Sequence, residues 1–105
     1  GEKAIVGHFK DGTHILWRDL NLTGISHLKV RAGCFDTQGG TFELRSGSPT
    51  GPLLTAIEVK PTGEGKFLEL PVTLTNATGL TDVCVVARCG DKNTVLGLNW
   101  IEFQP

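Results

Sequence analysis

Apolar and polar residues alternate along most of this chain, and turn residues interrupt the alternation at intervals of about ten residues. In the segment 27–32, for example, every second residue is apolar. A period of two places successive side chains on opposite faces of an extended strand. No segment has a convincing helical period, and 14 Gly and 5 Pro weigh against long helices. The pattern therefore predicts an all-β domain.

The turn residues delimit the predicted strands. Pro71 cannot donate a hydrogen bond to a neighbouring strand, so its strand is predicted at a sheet edge or with a bulge. The segment 82–89 is apolar on both faces, which is typical of a central strand. This many short strands without a helix predicts a two-sheet sandwich or jelly roll, but the pattern leaves the strand order open. The predicted strands are 5–9, 13–19, 27–32, 41–46, 53–59, 67–74, 82–89 and 94–103.

Length and charge restrict the function classes. The 105 residues suit one domain, 1–105, and because the chain lacks Met we expect it to be excised from a longer multidomain protein. The net charge is −1, and no run of like charges exceeds two residues. The chain therefore lacks the concentrated positive charge expected of a protein that binds nucleic acid or an anionic membrane. The longest apolar run, 83–87, is too short for a transmembrane helix.

The three cysteines, Cys34, Cys84 and Cys89, cannot all pair within one chain. We expect small buried hydrophobic residues, and one disulfide beside a free thiol is the alternative. The spacing of Cys84 and Cys89, without a nearby His, is a poor match to a zinc site.

No catalytic constellation is evident. None of the three Ser lies in a Gly-x-Ser-x-Gly turn, and His8, His14 and His27 lack the spacing of metal ligands. The carboxylates are scattered, with no pair that the sequence alone brings together. We therefore expect no enzyme and favour binding through loops or an exposed sheet face. Alternation predicts both tryptophans, Trp17 and Trp100, in the core.

Four segments together resemble carbohydrate-binding module family 6. Residues 5–22 are similar to the family's V-G-Y-I-x-x-G-D-Y-V-x-Y-x-x-V-x-F opening. Residues 39–51 are similar to G-G-x-I-E-I-R-L-D-S-P-T-G, and residues 76–88 to T-G-x-H-D-L-Y-L-V-F-K. Residues 96–103 are similar to F-N-L-D-W-F-x-F, and the four segments occur in the family's order.

The resemblance implies a two-sheet antiparallel β-sandwich with jelly-roll topology. It also implies noncatalytic binding of a poly- or oligosaccharide. Such modules are usually joined covalently to a catalytic or surface domain, in a secreted, periplasmic or cell-surface protein. No nucleic acid or membrane is implied as a partner. The alternative is a degenerate sandwich that serves as a structural or protein-interaction domain without binding sugar.

The family binds sugar on the concave face of one sheet, in a cleft between loops, or at both places. On the sheet face the resemblance assigns binding to His14, Leu16, Glu43, Arg45 and Arg88, with His14 replacing an aromatic residue and Arg88 a lysine. We take this face as the first candidate site.

The loop cleft departs further from the family pattern. His8 replaces the tyrosine of V-G-Y, Gly97 replaces the asparagine of F-N-L-D-W, and the loop before the last strand offers only Thr94 and Val95 where an aromatic residue is expected. The cleft around His8 is therefore the second candidate site.

Many family members also hold a structural calcium ion. In this chain only Glu2 precedes the V-G-Y segment as a carboxylate, and Asn99 replaces the aspartate of L-D-W. A structural calcium is the one cofactor that the resemblance suggests, and its ligands are not identified.

Overall fold

The computed structural model describes residues 3–5, 7–74 and 77–105, with side chains from residue 7 onward. Every regular element in these ranges is a β-strand, as the alternation predicts. The strands are β1 (Lys3–Ile5), β2 (His8–Phe9), β3 (His14–Asn21), β4 (His27–Cys34), β5 (Gly40–Ser46), β6 (Leu53–Val59), β7 (Leu68–Thr73), β8 (Leu80–Cys89) and β9 (Leu96–Gln104).

The strands form two antiparallel sheets. One sheet has the order β1-β9-β4-β7, and β2 pairs with β9 beyond the end of β1. The other has the order β3-β8-β5-β6. Consecutive strands therefore cross repeatedly from one sheet to the other, which is the jelly-roll arrangement. This confirms the predicted fold class and supplies the strand order that the pattern left open.

Most strand predictions hold to within a few residues. The segment 53–59 matches β6 residue for residue, β8 is central between β3 and β5, and β7 with Pro71 lies at an edge. The predicted strand 5–9 corresponds to β1 and β2, which are separate elements.

The core lies between the two sheets and consists of the inward-facing, alternate residues of their strands. Leu28 and Val30 of β4, in one sheet, and Phe42 and Leu44 of β5, in the other, are almost fully buried and belong to the same core cluster. Phe9 packs edge to face against Phe42, with ring centroids 5.2 Å apart. Aromatic pairs prefer this geometry because the positive ring edge meets the negative ring face.

The prediction that Trp100 lies in the core is wrong. Between the pairs Ala32–Leu98 and Arg31–Trp100 the register shifts, so Asn99 has no residue opposite it on β4. This bulge reverses the alternation of β9, because one extra residue exchanges the two faces of a strand. Ile101 becomes an inward residue and Trp100 is left half-buried outside the core cluster. Trp17, in contrast, packs against the core as predicted.

The cysteines are all free thiols. Cys34 and Cys84 are buried, as expected, and Cys89 is half-buried. The described structure therefore contains neither the alternative disulfide nor a cluster of metal ligands around the cysteines.

Candidate functional site

All five sheet-face residues lie on the outer face of the β3-β8-β5-β6 sheet. The pairings place His14 of β3 and Glu43 of β5 on either side of Val86. They likewise place Leu16 and Arg45 on either side of Cys84. Arg88 pairs with Thr41, one alternate position further along the same face. Alternation therefore brings these residues together although they are up to 74 positions apart in the chain.

Glu43 connects the two arginines. Its Oε1 accepts one hydrogen bond from Nε of Arg45 and another from Nε of Arg88, both at 3.0 Å. The pKa of the Glu43 carboxyl lies below its ordinary value, chiefly because of the hydrogen bond from Arg45 and then that from Arg88. Only 19% of the Glu43 side chain and 23% of the Arg45 side chain are exposed, against 45% for Arg88, so Arg88 is the most accessible of these three charged residues.

The same arginines hold the β5–β6 loop, residues 47–52. Arg45 Nη1 donates to the carbonyl oxygen of Gly51 at 2.9 Å, and Arg88 Nη2 makes a longer bond of 3.4 Å to that of Pro49. Gly51 is required here, because a Cβ at this position would lie 1.8 Å from the carbonyl oxygen of Ser46. The loop is thus fixed beside the sheet face by side chains of the face itself.

The floor of the face is apolar and closed. Val86 and Cys84 lie outside the core cluster, yet neither is exposed to solvent, because the neighbouring side chains cover them. Burial raises the pKa of the Cys84 thiol. Leu16 is half-buried and His14 is exposed, with its Nδ1 3.4 Å from the carbonyl oxygen of Gly12.

We call Glu43, Arg45, Arg88, His14 and Leu16 the sheet-face cluster. It combines an exposed imidazole ring and an apolar side chain on β3 with fixed guanidinium and carboxylate groups on the next two strands, β8 and β5. Guanidinium groups donate hydrogen bonds and carboxylates accept them. The cluster can therefore bind a sugar hydroxyl group that acts as an acceptor as well as one that acts as a donor.

His8 belongs to a different part of the molecule. It lies on β2 of the other sheet, opposite Gly97, and its ring contacts Phe35 edge to face at 5.7 Å. Phe35 in turn contacts Phe67 at 5.5 Å. The guanidinium of Arg31 lies 5.7 Å from the centre of the Phe67 ring, within the range of a cation–π contact.

We call His8, Phe35 and Phe67 the loop-end aromatic cluster. Of these three residues, the sequence patterns indicated only His8. Phe35 and Phe67 both follow turn or strand-end positions, where a half-exposed aromatic residue is a signal for binding. A Cβ at Gly97 would lie 3.0 Å from Cε1 of Phe67 and 3.1 Å from Cζ of Phe35. The two rings therefore fill the space above Gly97 that a side chain at this position would occupy.

The β8–β9 loop supplies no ring to this cluster. Thr94 is buried and lies before β9, and its N–H and hydroxyl both donate to Oδ1 of Asp91. The backbone bond from Thr94 lowers the pKa of Asp91 most, followed by a backbone bond from Asn93 and the bond from the Thr94 hydroxyl. Val95 N donates to Oδ2 of Asp36, which ties the loop to the β4–β5 loop.

The described part of the structure gives little support to the expected structural calcium ion. No group of three or more His, Cys, Asp or Glu side chains in the described ranges is placed to hold a metal ion. Asn99 has no partner on β4 at the β9 bulge. Glu2 lies outside the described residues, as does Asn76 of the third resembling segment. The described part of the chain also has no helix long and apolar enough to cross a bilayer.

Comparisons with known proteins agree with this architecture. A family model described as "Carbohydrate binding module (family 6)" matches residues 1–105. The arabinoxylan arabinofuranohydrolase of Paenibacillus polymyxa is 34% identical over 68 residues, which make up 64% of this chain but 11% of that enzyme. This chain is therefore similar to only a small part of its curated relative.

Two solved structures are similar over nearly the whole chain. A family 6 carbohydrate-binding module of Clostridium cellulolyticum, solved with xylose, is 28% identical with a TM-score of 0.83, covering 96% of this chain and 78% of that one. A β-1,3-glucan-binding family 6 module of Bacillus halodurans is 28% identical with a TM-score of 0.79, covering 100% and 78%.

Proposed function

The chain belongs to family 6 of the carbohydrate-binding modules, and from this membership we propose that it binds a glycan chain on its sheet-face cluster. Carbohydrate binding is the family's function; the site and the kind of sugar are our proposal. The ligands of the two similar modules, xylose and β-1,3-glucan, favour a neutral plant or microbial polysaccharide.

The observation that carries the proposal is the pair of hydrogen bonds from Arg45 and Arg88 to one oxygen of Glu43. A guanidinium held at Nε keeps its terminal N–H groups in a defined plane, so less conformational entropy is lost when a hydroxyl group binds. Because Arg88 remains 45% exposed, it can reach a ligand without breaking this arrangement.

The remaining contacts would come from β3. The exposed ring of His14 and the half-buried side chain of Leu16 supply a surface for the C–H face of a sugar ring. An imidazole is smaller than a Trp or Tyr ring, so we expect modest affinity and a clear contribution from hydrogen bonds. Binding without chemistry would raise the local concentration of an attached domain at the polysaccharide.

The experiment is affinity electrophoresis and calorimetry with arabinoxylan, xylo-oligosaccharides and β-1,3-glucan. We expect His14→Ala and Arg88→Ala each to weaken binding roughly tenfold, about 1.4 kcal/mol. His27→Ala is the matched control, because His27 is an exposed histidine of the other sheet. Unchanged affinity in both sheet-face variants would reject this site, and a folded protein that binds no polysaccharide would favour the degenerate, structural alternative.

A second candidate site is the loop-end aromatic cluster of His8, Phe35 and Phe67. Its half-exposed rings and the adjacent Arg31 are the observation in its favour. The rings contact one another edge to face and fill the space above Gly97, so a sugar would have to bind on their outer edges. A loss of binding in Phe67→Ala or His8→Ala, with His14→Ala unaffected, would move the site to this end.

We further propose that the chain is one noncatalytic module of a longer protein. Its similarity to 11% of a multidomain hydrolase supports covalently linked catalytic or surface domains as its neighbours. An extracellular, periplasmic or cell-surface location follows from the place of the proposed ligand. No step of the proposed binding involves calcium, and equal binding with a chelator and with added calcium is the expected result.

A further inference from the structure

The three charged residues of the sheet-face cluster do not balance one another. Arg45 and Arg88 each form an ion pair with Glu43, both at 3.0 Å and both with the same oxygen. In the described part of the chain no second carboxylate pairs with either guanidinium group. The pKa of Glu43 lies below its ordinary value, so this carboxylate is ionised at neutral pH. Two positive charges and one negative charge therefore leave one positive charge over.

This surplus charge lies where solvent screens it only in part. The side chains of Glu43 and Arg45 are half-buried, and Cys84 and Val86 of the apolar floor are closed to solvent. Charges interact more strongly where water is partly excluded, because the effective dielectric constant is lower there than in bulk water. Arg88 is exposed, so a ligand can reach the same charge from solvent. An anion bound here would therefore gain more than one bound to an isolated surface arginine.

The two guanidinium groups also have unused hydrogen-bond donors. Their Nε atoms donate to Glu43, and Arg45 Nη1 donates to the carbonyl oxygen of Gly51. Nη2 of Arg88 makes only the 3.4 Å bond to Pro49. No bond in the described structure uses Nη1 of Arg88 or Nη2 of Arg45. Because the terminal nitrogens of a guanidinium group match the two oxygens of a carboxylate, Arg88 can bind such a group while its Nε stays on Glu43.

Three further carboxylates lie at the margins of this face. Asp82 lies six positions before Arg88 on β8, and its Oδ1 accepts a bond from a backbone N–H of the β3 bulge. Oδ1 of Asp11 accepts a bond from the N–H of Cys89 at the end of β8. Glu58 lies on the edge strand β6, which β5 separates from β8. None of the three forms an ion pair with an arginine of the cluster, so the surplus charge is open to a ligand.

The exposed ring of the cluster lies within reach of this charge. His14 pairs with Val86, and Arg88 is two positions further along β8 on the same face. Diagonal neighbours of this kind in an antiparallel pair are about 7–8 Å apart. A sugar unit bound on the His14 ring can thus place a substituent beside Arg88.

We propose that the sheet-face cluster selects a glycan with a uronic acid side group, whose carboxylate binds Arg88 and balances the surplus positive charge. This selectivity rests on the proposed function and specifies its ligand, because such a side group is carried by an otherwise neutral main chain. The main-chain sugar contacts His14 and Leu16, and the carboxylate accepts bonds from the terminal nitrogens of Arg88. A neutral side group would displace water from the guanidinium without an opposite charge to replace it, so it binds less tightly.

Calorimetry with three forms of one oligosaccharide tests the proposal. The first is a xylo-oligosaccharide with a glucuronic acid side group, and the second is the same compound with its carboxyl group reduced to a primary alcohol. The third is the unsubstituted chain. We expect the wild type to bind the acidic form roughly tenfold more tightly than the reduced form at low salt. This ratio should fall at high salt, because dissolved ions screen the attraction.

Two variants locate the charge that is responsible. Arg88→Gln removes the surplus charge and should bind the acidic and the reduced forms equally. Lys29→Gln is the matched control, because it removes one positive charge from the other sheet, and it should keep the tenfold ratio. Circular dichroism checks that both variants are folded. The ratio measured for the wild type needs no variant.

The outcomes separate this selectivity from the proposed function. Equal binding of the acidic and reduced forms by the wild type would overturn the selectivity and leave the proposed function standing. A preference for the acidic form that survives in Arg88→Gln would overturn the assignment to this residue. Tighter binding of polygalacturonate, whose carboxylates belong to the main chain, would reject a side group as the source of the charge. Failure of the folded wild type to bind any of the three forms or β-1,3-glucan would reject the proposed function as well.

Discussion

Arg88 on β8 and Glu43 on β5 are joined by a 3.0 Å bond between Nε and Oε1, although 45 positions separate them in the chain. Arg45 donates to the same oxygen from within β5. One carboxylate thus orients two guanidinium groups, which in turn hold the carbonyl groups of Pro49 and Gly51. Glu43 is therefore the residue on which the geometry of the proposed binding face depends most.

The first prediction concerns the stability that Glu43 provides. Glu43→Gln weakens two charge-assisted bonds in a partly buried place and should lower the free energy of unfolding by about 1–2 kcal/mol. Glu69→Gln is the control, because the Arg31–Glu69 pair is wider, at 3.7 Å, and more exposed. Loss of the Arg31–Glu69 ion pair should lower the free energy of unfolding by less than about 0.5 kcal/mol. Urea unfolding measures both, and equal costs would contradict the role given to Glu43.

The second prediction is the pH dependence of that stability. The folded-state pKa of Glu43 lies below its ordinary value of 4.5, so its contribution is fully present above that value. It is lost as the pH falls through the lower, folded-state pKa. The difference in unfolding free energy between the wild type and Glu43→Gln should therefore shrink below pH 4.5. A difference that stays constant down to pH 2 would exclude this ionisation as the cause.

The third prediction concerns the contact of Gly97 with the loop-end rings. A Cβ at Gly97 would lie 3.0 Å from Phe67, so Gly97→Ala should destabilise the protein by about 1–3 kcal/mol through overpacking. The same substitution in a Phe67→Ala background should cost less, because one of the two rings is gone. A double-mutant cycle from urea unfolding measures this coupling, and additive costs would show that the rings move aside freely.

The fourth prediction concerns thiol reactivity. Burial raises the pKa of Cys84 and, together with the charge of Asp11, that of Cys89, so little reactive thiolate forms at neutral pH. Cys89 is only half-buried and should react first with an aromatic disulfide reagent, while Cys34 and Cys84 react only after unfolding. Mass spectrometry locates the modified residue. Rapid modification of Cys84 in folded protein would show that the floor of the sheet face opens.

Local patterns in the sequence were sufficient for the fold class and for one face of the candidate site. A strand exposes alternate residues whatever its partner, so Glu43 and Arg45 had to share a face, as did His14 and Leu16. Turn residues and Pro71 likewise marked strand limits and an edge, because their effects act on their own backbone. The family motifs added the expectation that these faces belong to one sheet.

Tertiary structure decided what depends on the pairing between distant strands. Trp100 left the core because a bulge opposite β4 shifts the register. The apolar residues of β9 change phase between Leu98 and Ile101, but the sequence alone does not decide which of the two phases Trp100 follows. Phe35 and Phe67 come together above Gly97 only because the β4–β5 loop and the β6–β7 loop both lie beside the start of β9. The bond from Arg88 to Glu43 needs β8 beside β5. Alternation is a local property of the backbone, whereas register and strand order are set by the packing of the whole sandwich.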